Sequence, residues 1–193
     1  MSPAPARTSP EAIVAAARRI LETDGLPAVT MRAVADAVGV KGPSLYKRLP
    51  DHAALLRAVG ESVAADLTRT LAGAAETGDP RADLRSVAFE YRRFVRENPN
   101  GYRLLFADLP PGASPDPADL AAMGLPIVRA MVGLVGEDDA LEAARTVVAW
   151  AHGFVSMELA GAFRLGGDLE VAYRYGIEKI VTGISERGTR SSR

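Results

Sequence analysis

The stretch from Thr30 to Asp51 places a glycine, Gly39, and a proline, Pro43, only a few positions apart. Glycine readily adopts the left-handed conformation that ends a helix, and proline is favoured in the first turn of the next helix. Apolar residues at helical spacing stand on both sides of this pair. The sequence therefore predicts two short helices joined by a sharp turn, with Thr30 as the N-cap of the first and a stop before Pro50.

Helical patterning continues through the rest of the chain, and no segment has the alternating pattern that is typical of a strand. The proline-rich segment 107–117 predicts a loop, Pro126 is expected to break or kink a helix over 118–135, and the ends, 1–7 and 188–193, are expected to be disordered. The predicted fold class is all-α, with about nine helices. The helices are predicted over roughly 9–23, 30–38, 43–49, 52–75, 79–97, 101–106, 118–135, 137–163 and 169–186.

The composition excludes several kinds of chemistry. The 193 residues include no cysteine and only two histidines, His52 and His152. Disulfides, thiolate nucleophiles and cysteine metal sites are therefore excluded, and two histidines do not build a zinc centre. No charge-free run of 18 apolar residues is present, and "MSPAPART" lacks the features of an export signal. We expect a cytoplasmic protein with no membrane partner, no metal and no cofactor.

Charge is distributed unevenly along the chain. Residues 1–60 carry eight basic and five acidic side chains, a net charge of +3, whereas residues 61–193 have a net charge of −4. A modestly basic segment joined to an acidic one is the pattern expected of a nucleic-acid-binding module attached to a second module. The charge alone is weak support for that interpretation.

The two short helices around Gly39 have the form of a helix-turn-helix. Small residues such as Ala35 allow the helices to cross closely, while Val34, Val38, Val40, Leu45 and Leu49 are predicted to share a core with the first helix. An alternative interpretation is a packed helical corner with solvated basic side chains. The residues predicted to face outward, and to suit a DNA groove, are Gly42, Pro43, Ser44, Tyr46, Lys47 and Arg48.

The helix-turn-helix segment resembles the N-terminal domain of TetR-type transcriptional regulators. The matching motifs are Thr30, Val34-Ala35, Ala37-Val38-Gly39-Val40, Ser44-Leu45-Tyr46 and Leu55-Leu56. The resemblance implies a DNA-binding domain at 1–50, a helical effector-binding and dimerisation domain at 51–187, and a disordered tail at 188–193. It also implies that Thr30, Arg32, Tyr46 and His52 contact phosphates, and that residues Lys41 through Lys47 face bases. The chain departs from the family pattern at Arg48-Leu49 and at His52, so the identity of each contact is open.

The segment Trp150–Phe163 is similar to a TetR subgroup that has a His-Gly motif in a buried C-terminal helix. Small residues and methionine recur along it at every fourth position, which allows another helix to approach closely. The last helix has a second apolar face. We predict that these two helices pair with their copies as a four-helix bundle in a homodimer. The interface residues predicted are Ala149, Gly153, Met157, Gly161, Tyr173, Ile177, Ile180 and Ile184.

Apolar and aromatic residues in the second half also suggest a pocket for a small, largely apolar effector. Side chains of these types are more often core residues, and His152 can be either a hydrogen-bonded core histidine or a group that contacts the ligand. The acidic run 137–142 is typical of an exposed helix start rather than of a catalytic centre. The pocket residues predicted are Tyr102, Phe106, Met131, Trp150, His152 and Phe154.

These patterns together predict a regulator without enzymatic activity. We expect a repressor that binds a near-palindromic double-stranded DNA operator as a homodimer and is released by a small molecule. Two alternatives remain open: a constitutive DNA-binding dimer, and a regulator that responds to a protein partner. An enzyme would need positioned acids, bases or nucleophiles, of which the second half offers few.

Overall fold

The computed structural model describes the backbone of residues 9–191 and the side chains of residues 9–185. This part of the chain is helical and contains no strand, so the predicted all-α class is confirmed. A single 3-10 turn, Leu26–Ala28, follows the first helix. The helices are α1 (Pro10–Asp24), α2 (Met31–Val38), α3 (Gly42–Tyr46), α4 (His52–Ala74), α5 (Pro80–Glu97), α6 (Pro99–Leu105), α7 (Pro117–Ala122), α8 (Leu125–Val135), α9 (Glu137–Leu159) and α10 (Leu169–Ser191).

Local signals account for the start of α1 and of α8. Ser9 caps α1 by accepting a hydrogen bond from the Ala12 N–H at 3.2 Å, and Pro10 occupies the first turn. The helix predicted over 118–135 is two helices, because a turn at 123–124 precedes Pro126, which lies in the first turn of α8. The helix predicted to reach residue 163 ends at Leu159.

The last helix is longer than predicted. The backbone of α10 continues to Ser191, so residues 188–191 are helical rather than part of a disordered tail. Residues 192 and 193, together with the N-terminal segment 1–7 that was also predicted to be disordered, lie outside the described residues.

The chain forms two compact units. The first comprises Met1–Asp66 and Asn98–Leu120, and the second comprises Leu67–Glu97 and Ala121–Arg193. The first unit therefore extends past the boundary predicted at residue 50, because the start of α4 and all of α6 pack with α1. Its core is formed by buried side chains of all these elements, including Ile13, Leu21, Val34, Leu45, Leu55, Val59, Leu104 and Ala113.

The second unit is built from α5, α8, α9 and α10, which contact one another. Its core contains Tyr173 and Ile177 of α10, both with no exposed surface, together with Met131 of α8 and Val147 of α9. The hydroxyl of Tyr173 donates a hydrogen bond to the carbonyl oxygen of Ala88 at 2.8 Å. Burial of these side chains and satisfaction of the phenol hold α10 against α5.

Among the residues that the structure describes, one stretch is apolar enough to cross a membrane by length and composition alone. It spans Pro117–Val135, with a mean hydropathy of 1.6 over its most apolar window. The stretch is not one continuous helix, and it contains the charged residues Asp119 and Arg129. A single segment of this kind is weak support for a membrane protein.

Candidate nucleic-acid interface

The turn between α2 and α3 is fixed by backbone geometry. The Thr30 hydroxyl caps α2 by accepting a hydrogen bond from the Ala33 N–H at 3.1 Å. Gly39 ends α2 with φ of 74°, a left-handed conformation that a residue with a side chain adopts at a cost. The Val40 N–H then donates to the Ala35 carbonyl oxygen at 3.0 Å. This arrangement turns the chain directly into α3.

The α3 segment has one buried anchor and an exposed polar surface. Leu45 is completely buried in the core of the first unit, whereas the ring of the adjacent Tyr46 is about half exposed. Gly42 is half-buried. The other residues predicted to face DNA are exposed: Lys41, Pro43, Ser44, Lys47 and Arg48. We call Lys41–Arg48, without Leu45, the α3 surface.

Cations of the α3 surface and of α2 are available to an anionic partner. The Arg32 side chain is 92% exposed and lies 3.9 Å from Asp36, one turn further along α2. An exposed ion pair at that distance contributes little stability, so the guanidinium can exchange the carboxylate for a phosphate. A hydrogen bond from the Ser9 side chain is the main cause that holds the pKa of Glu11 below its usual value, and the charge of Arg48 adds to this effect.

His52, predicted to contact phosphate, has a contact inside the first unit. Its Nε2 lies 2.6 Å from the carbonyl oxygen of Val29, the residue that precedes the N-cap of α2. Because a carbonyl oxygen only accepts, Nε2 carries the hydrogen in this contact. Asp51 caps α4 by accepting a hydrogen bond from the Ala54 N–H at 2.7 Å. The exposed imidazole is thus held beside the start of α2.

The residues predicted to line an effector pocket fall into two groups. Tyr102 and Phe106 belong to the first unit, with ring centroids 5.1 Å apart. Trp150 and Phe154 belong to the second unit, where each ring lies 5.0 Å from the ring of Tyr173. Met131 is fully buried in that unit, and His152 is half-buried with Nε2 3.5 Å from the Ser156 hydroxyl. The aromatic residues of the second unit pack on one another.

A cleft of about 550 Å³ lies on the second unit, on the side of α5. Its wall combines the Phe89 ring with the guanidinium groups of α5, which already have carboxylate partners. Arg93 pairs with Glu90 and Glu97, and these contacts raise the pKa of the guanidinium. The positive and negative side chains that line the cleft therefore balance each other. Sequence patterns did not point to it. It is lined by Phe89, Glu90, Arg92, Arg93, Arg96, Glu97 and Glu170.

Arg92 forms a buried ion cluster. Its guanidinium makes two hydrogen bonds of 2.8 Å to the Glu158 carboxylate and a third to Glu170. It also lies 5.1 Å from the centroid of the Tyr173 ring. Hydrogen bonding to Glu158, which outweighs the cost of burial, raises the pKa of Arg92. The cluster joins α5, α9 and α10, and it pairs the buried charge of Arg92 with two carboxylates.

The surface predicted for dimerisation is partly exposed and partly buried. Ala149, Gly153 and Met157 of α9 are exposed, as is Gly161 beyond its end. Tyr173 and Ile177 are instead buried within the same chain, so the prediction that these two side chains contact a second copy is wrong. Ile180 and Ile184 are half-buried. The exposed side of α10, which sequence reasoning missed, contains Ala172, Tyr175, Lys179 and Gly183.

Among the described residues there is no group of three or more histidine or acidic side chains that could hold a metal ion. The α3 surface, by contrast, carries exposed cations, hydroxyls and one aromatic ring. Such groups contact phosphates and base edges of DNA.

Comparison with known families gives matches in both halves of the chain. Residues 13–59 match the model of "Bacterial regulatory proteins, tetR family", and residues 84–180 match "Tetracyclin repressor-like, C-terminal domain". An uncharacterized HTH-type transcriptional regulator of Mycobacterium tuberculosis is 31% identical over 191 residues, which cover 96% of this chain and 85% of the relative.

Solved structures share the fold. A protein of unknown function from Rhodococcus sp. RHA1 matches with a TM-score of 0.78 and 23% identity, covering 91% of this chain and 95% of that one. BioQ, crystallised with its natural double-stranded DNA operator, matches with a TM-score of 0.65 and 25% identity, covering 92% and 98%. From the relative in Mycobacterium and the two matched models, the chain belongs to the TetR family of bacterial regulatory proteins.

Proposed function

We propose that this protein is a transcriptional repressor that binds a near-palindromic operator as a homodimer and is released by a small-molecule effector. The observation that carries the DNA-binding part is the α3 surface, where exposed basic, hydroxyl and aromatic side chains surround the buried anchor Leu45. A buried anchor keeps the orientation of α3 fixed while its remaining side chains stay free to bind.

In this proposal the side chains form two groups, one that contacts phosphates and one that contacts bases. Thr30, Arg32, Tyr46 and His52 contact phosphates, whereas the residues from Lys41 to Lys47 face base edges. The Thr30 hydroxyl accepts its intramolecular hydrogen bond and keeps its own hydrogen to donate. The His52 imidazole is anchored on Val29, so it meets a phosphate with a fixed orientation. Phosphate contacts set the register, and base contacts supply sequence specificity.

Homodimerisation supplies the second α3 surface. Two recognition helices that read successive major grooves must lie about 34–36 Å apart, and a two-fold axis provides that repeat. The exposed side of α9 and α10 is the surface we assign to the second copy. Small residues there, Ala149, Gly153 and Gly183, allow helix backbones to approach closely. Among the described residues, a Cβ placed at either glycine would meet no atom within 4 Å apart from its own chain neighbours and local helix backbone.

The effector is proposed to be a small, largely apolar molecule that binds the second unit. The description of the matched C-terminal model and the similarity of Trp150–Phe163 to the His-Gly subgroup support this part. An effector releases the operator only to the extent that it binds one arrangement of the recognition helices better than the other. We place the protein in the cytoplasm, where both DNA and effector are accessible.

The packed aromatic side chains are consistent with two competing functions. Trp150, Phe154 and Tyr173 fill the space between them with their own rings. A constitutive DNA-binding dimer, or a regulator that responds to a protein partner, needs no cavity there. We therefore keep these two functions as the alternative to release by a small molecule. Enzymatic activity is not proposed.

Selection of bound sequences from a random DNA pool tests the DNA-binding proposal. The expected result is a two-fold-symmetric sequence bound by a dimer. Absence of any enriched sequence would overturn operator binding, and an enriched sequence without symmetry would overturn the two-fold arrangement. Mass spectrometry of molecules extracted from the purified protein then separates the effector from the alternatives. A bound compound that lowers operator affinity supports release, whereas compounds without that effect favour the alternatives.

A further inference from the structure

The end of α1 and the start of α6 are joined by a set of hydrogen bonds within the first unit. The Glu22 carboxylate accepts hydrogen bonds from the backbone N–H groups of Asn100 at 3.1 Å and Gly101 at 2.7 Å. The first N–H groups of a helix have no partner inside that helix. Glu22 therefore caps α6 from another helix, at a distance of 78 residues in the chain.

Asn100 returns the interaction. Its side-chain Nδ2 donates hydrogen bonds of 3.1 Å to the carbonyl oxygens of both Leu21 and Glu22. These carbonyls lie in the last turn of α1, and the Leu21 carbonyl also accepts a hydrogen bond from the Gly25 N–H at 3.1 Å. Each helix thus supplies hydrogen-bond partners to one end of the other. We call the group Glu22, Asn100 and Gly101 the α1–α6 latch.

The latch is tightly fitted. A Cβ at Gly101 would lie 2.9 Å from Glu22 Oε1 and 3.1 Å from Val63 Cγ2 of α4, so only glycine leaves the carboxylate in place. The segment that follows α6 is held in the same unit. Ala113 is fully buried in the core, and a Cβ at Gly60 of α4 would lie 2.6 Å from Pro115 Cγ. Residues 98–117 are thus part of the body that carries α3.

We propose that Glu22 and Asn100 are positioning residues for operator binding, an inference that rests on the proposed function. Helix α1 packs against α2 and α3 through the shared core, which includes Ile13, Val34 and Leu45. Fixing α1 to α6 therefore fixes the position of the core on which α3 packs. When the latch is open, a smaller fraction of the molecules has the arrangement that binds the operator. The apparent Kd for the operator is inversely proportional to this fraction, so it rises.

The test compares Glu22→Ala and Asn100→Ala with Asp24→Asn, using the operator obtained by selection and an unrelated duplex of equal length. Asp24→Asn is the matched control, because it removes one negative charge from the same end of α1 without touching the latch. Loss of that charge near DNA holds or raises affinity. We expect each latch variant to lower operator affinity about tenfold, because each removes at least two hydrogen bonds between α1 and α6, and to change binding of the unrelated duplex less than about twofold.

Hydrogen exchange supplies a second readout. The Asn100 and Gly101 amides should exchange faster in Glu22→Ala, and more slowly in the wild-type protein when operator is bound. A latch that only stabilises the fold would lower the Tm and leave the affinity of the folded protein unchanged. If Glu22→Ala does not fold, Asn100→Ala decides the comparison. This variant removes the two hydrogen bonds to α1 and the one that Asn100 accepts from Arg103, and it removes no charge.

The outcomes separate the two proposals. A wild-type protein that selects no operator overturns the proposed function. A wild-type protein that binds its operator, with latch variants that bind as tightly as Asp24→Asn, overturns the positioning role alone. An equal loss of affinity for operator and for the unrelated duplex would also overturn it, because a positioning defect affects specific binding first.

Discussion

The His52 imidazole and the Val29 carbonyl group are in contact, with 2.6 Å between Nε2 and the oxygen. This hydrogen bond ties the first turn of α4 to the residue that precedes the N-cap of α2, and it orients a side chain proposed to contact phosphate. His52→Ala should lower the free energy of unfolding by about 1 kcal/mol, the usual contribution of one such bond. Urea denaturation measures the change. An unaltered denaturation midpoint would show that the contact contributes nothing to stability.

Substitutions in the segment Leu45–Lys47 should separate effects on stability from effects on DNA binding. Tyr46→Ala and Lys47→Ala change exposed side chains, so they should weaken operator binding while leaving the unfolding free energy within about 0.5 kcal/mol of wild type. Leu45→Ala should instead cost about 2–5 kcal/mol, because Leu45 is completely buried. Gel shifts at several salt concentrations complete the test. If Lys47 contacts phosphate, its loss lowers the magnitude of the salt slope by about one.

A bulky charge on α9 should prevent dimerisation. Gly153 is exposed, and a Cβ there would meet nothing within 4 Å in the same unit, so Gly153→Arg should leave the fold intact and block a close helix approach. Gly73→Arg is the control, since Gly73 is an equally open helical glycine on α4. Sedimentation should report a monomer for the first variant and a dimer for the second. Persistence of the dimer in Gly153→Arg would remove this surface from the proposal.

The only tryptophan of the chain gives a direct readout of packing in the second unit. A Cβ at Gly176 would lie 2.3 Å from Trp150 Cζ2, so Gly176→Ala forces the indole or α10 to move. We expect a loss of about 1–3 kcal/mol, as is usual for overpacking, together with a shift of the tryptophan fluorescence. Gly73→Ala meets no atom and should be neutral or slightly stabilising. Equal unfolding free energies and equal fluorescence for the two variants would contradict the tight contact between Gly176 and Trp150.

Acid should weaken the ion pair between α5 and α10. Arg85 donates hydrogen bonds of 2.7 and 2.9 Å to Glu178, and these bonds lower the pKa of the carboxyl. A lowered pKa in the folded state gives stability above the ordinary pKa of a glutamate, and this stability is lost as the pH falls through the folded value. Both side chains are more than a third exposed, so the contribution is under about 1 kcal/mol.

Unfolding free energies measured from pH 7 down to acid should therefore show a difference between wild type and Glu178→Gln that shrinks as the pH drops. Arg85→Gln and the double variant Arg85→Gln/Glu178→Gln complete a double-mutant cycle. The cycle gives the interaction free energy of the pair, separate from the effect of each side chain alone. A difference that stays constant with pH would mean that the ion pair does not contribute.

Local chemistry explains what the sequence could predict. The caps Ser9 and Thr30 and the left-handed Gly39 act on neighbouring residues, so the boundaries of α1 and α2 follow from short patterns. The α3 surface follows from the same reasoning, because the single large apolar residue Leu45 must face the core.

Other features depend on contacts that no local pattern contains. The apolar face of α10 was predicted correctly as a face, but periodicity does not say whether Tyr173 and Ile177 pack inside the chain or against a copy. The Arg92 cluster and the α1–α6 latch join residues that are 66 to 79 positions apart. Such partners become visible only when the helices have been placed in space.

The core of the first unit also sets the order in which the protein can be completed during synthesis. Leu104 and Ala113 belong to that core, yet they are made after the whole of α5. When only residues 1–66 have left the ribosome, the helix-turn-helix is present but its hydrophobic core still lacks the side chains that residues 98–120 supply. For the same reason, a chimaeric regulator cut after residue 50 would leave part of its own hydrophobic interior behind, whereas one that also carries residues 98–120 would keep it.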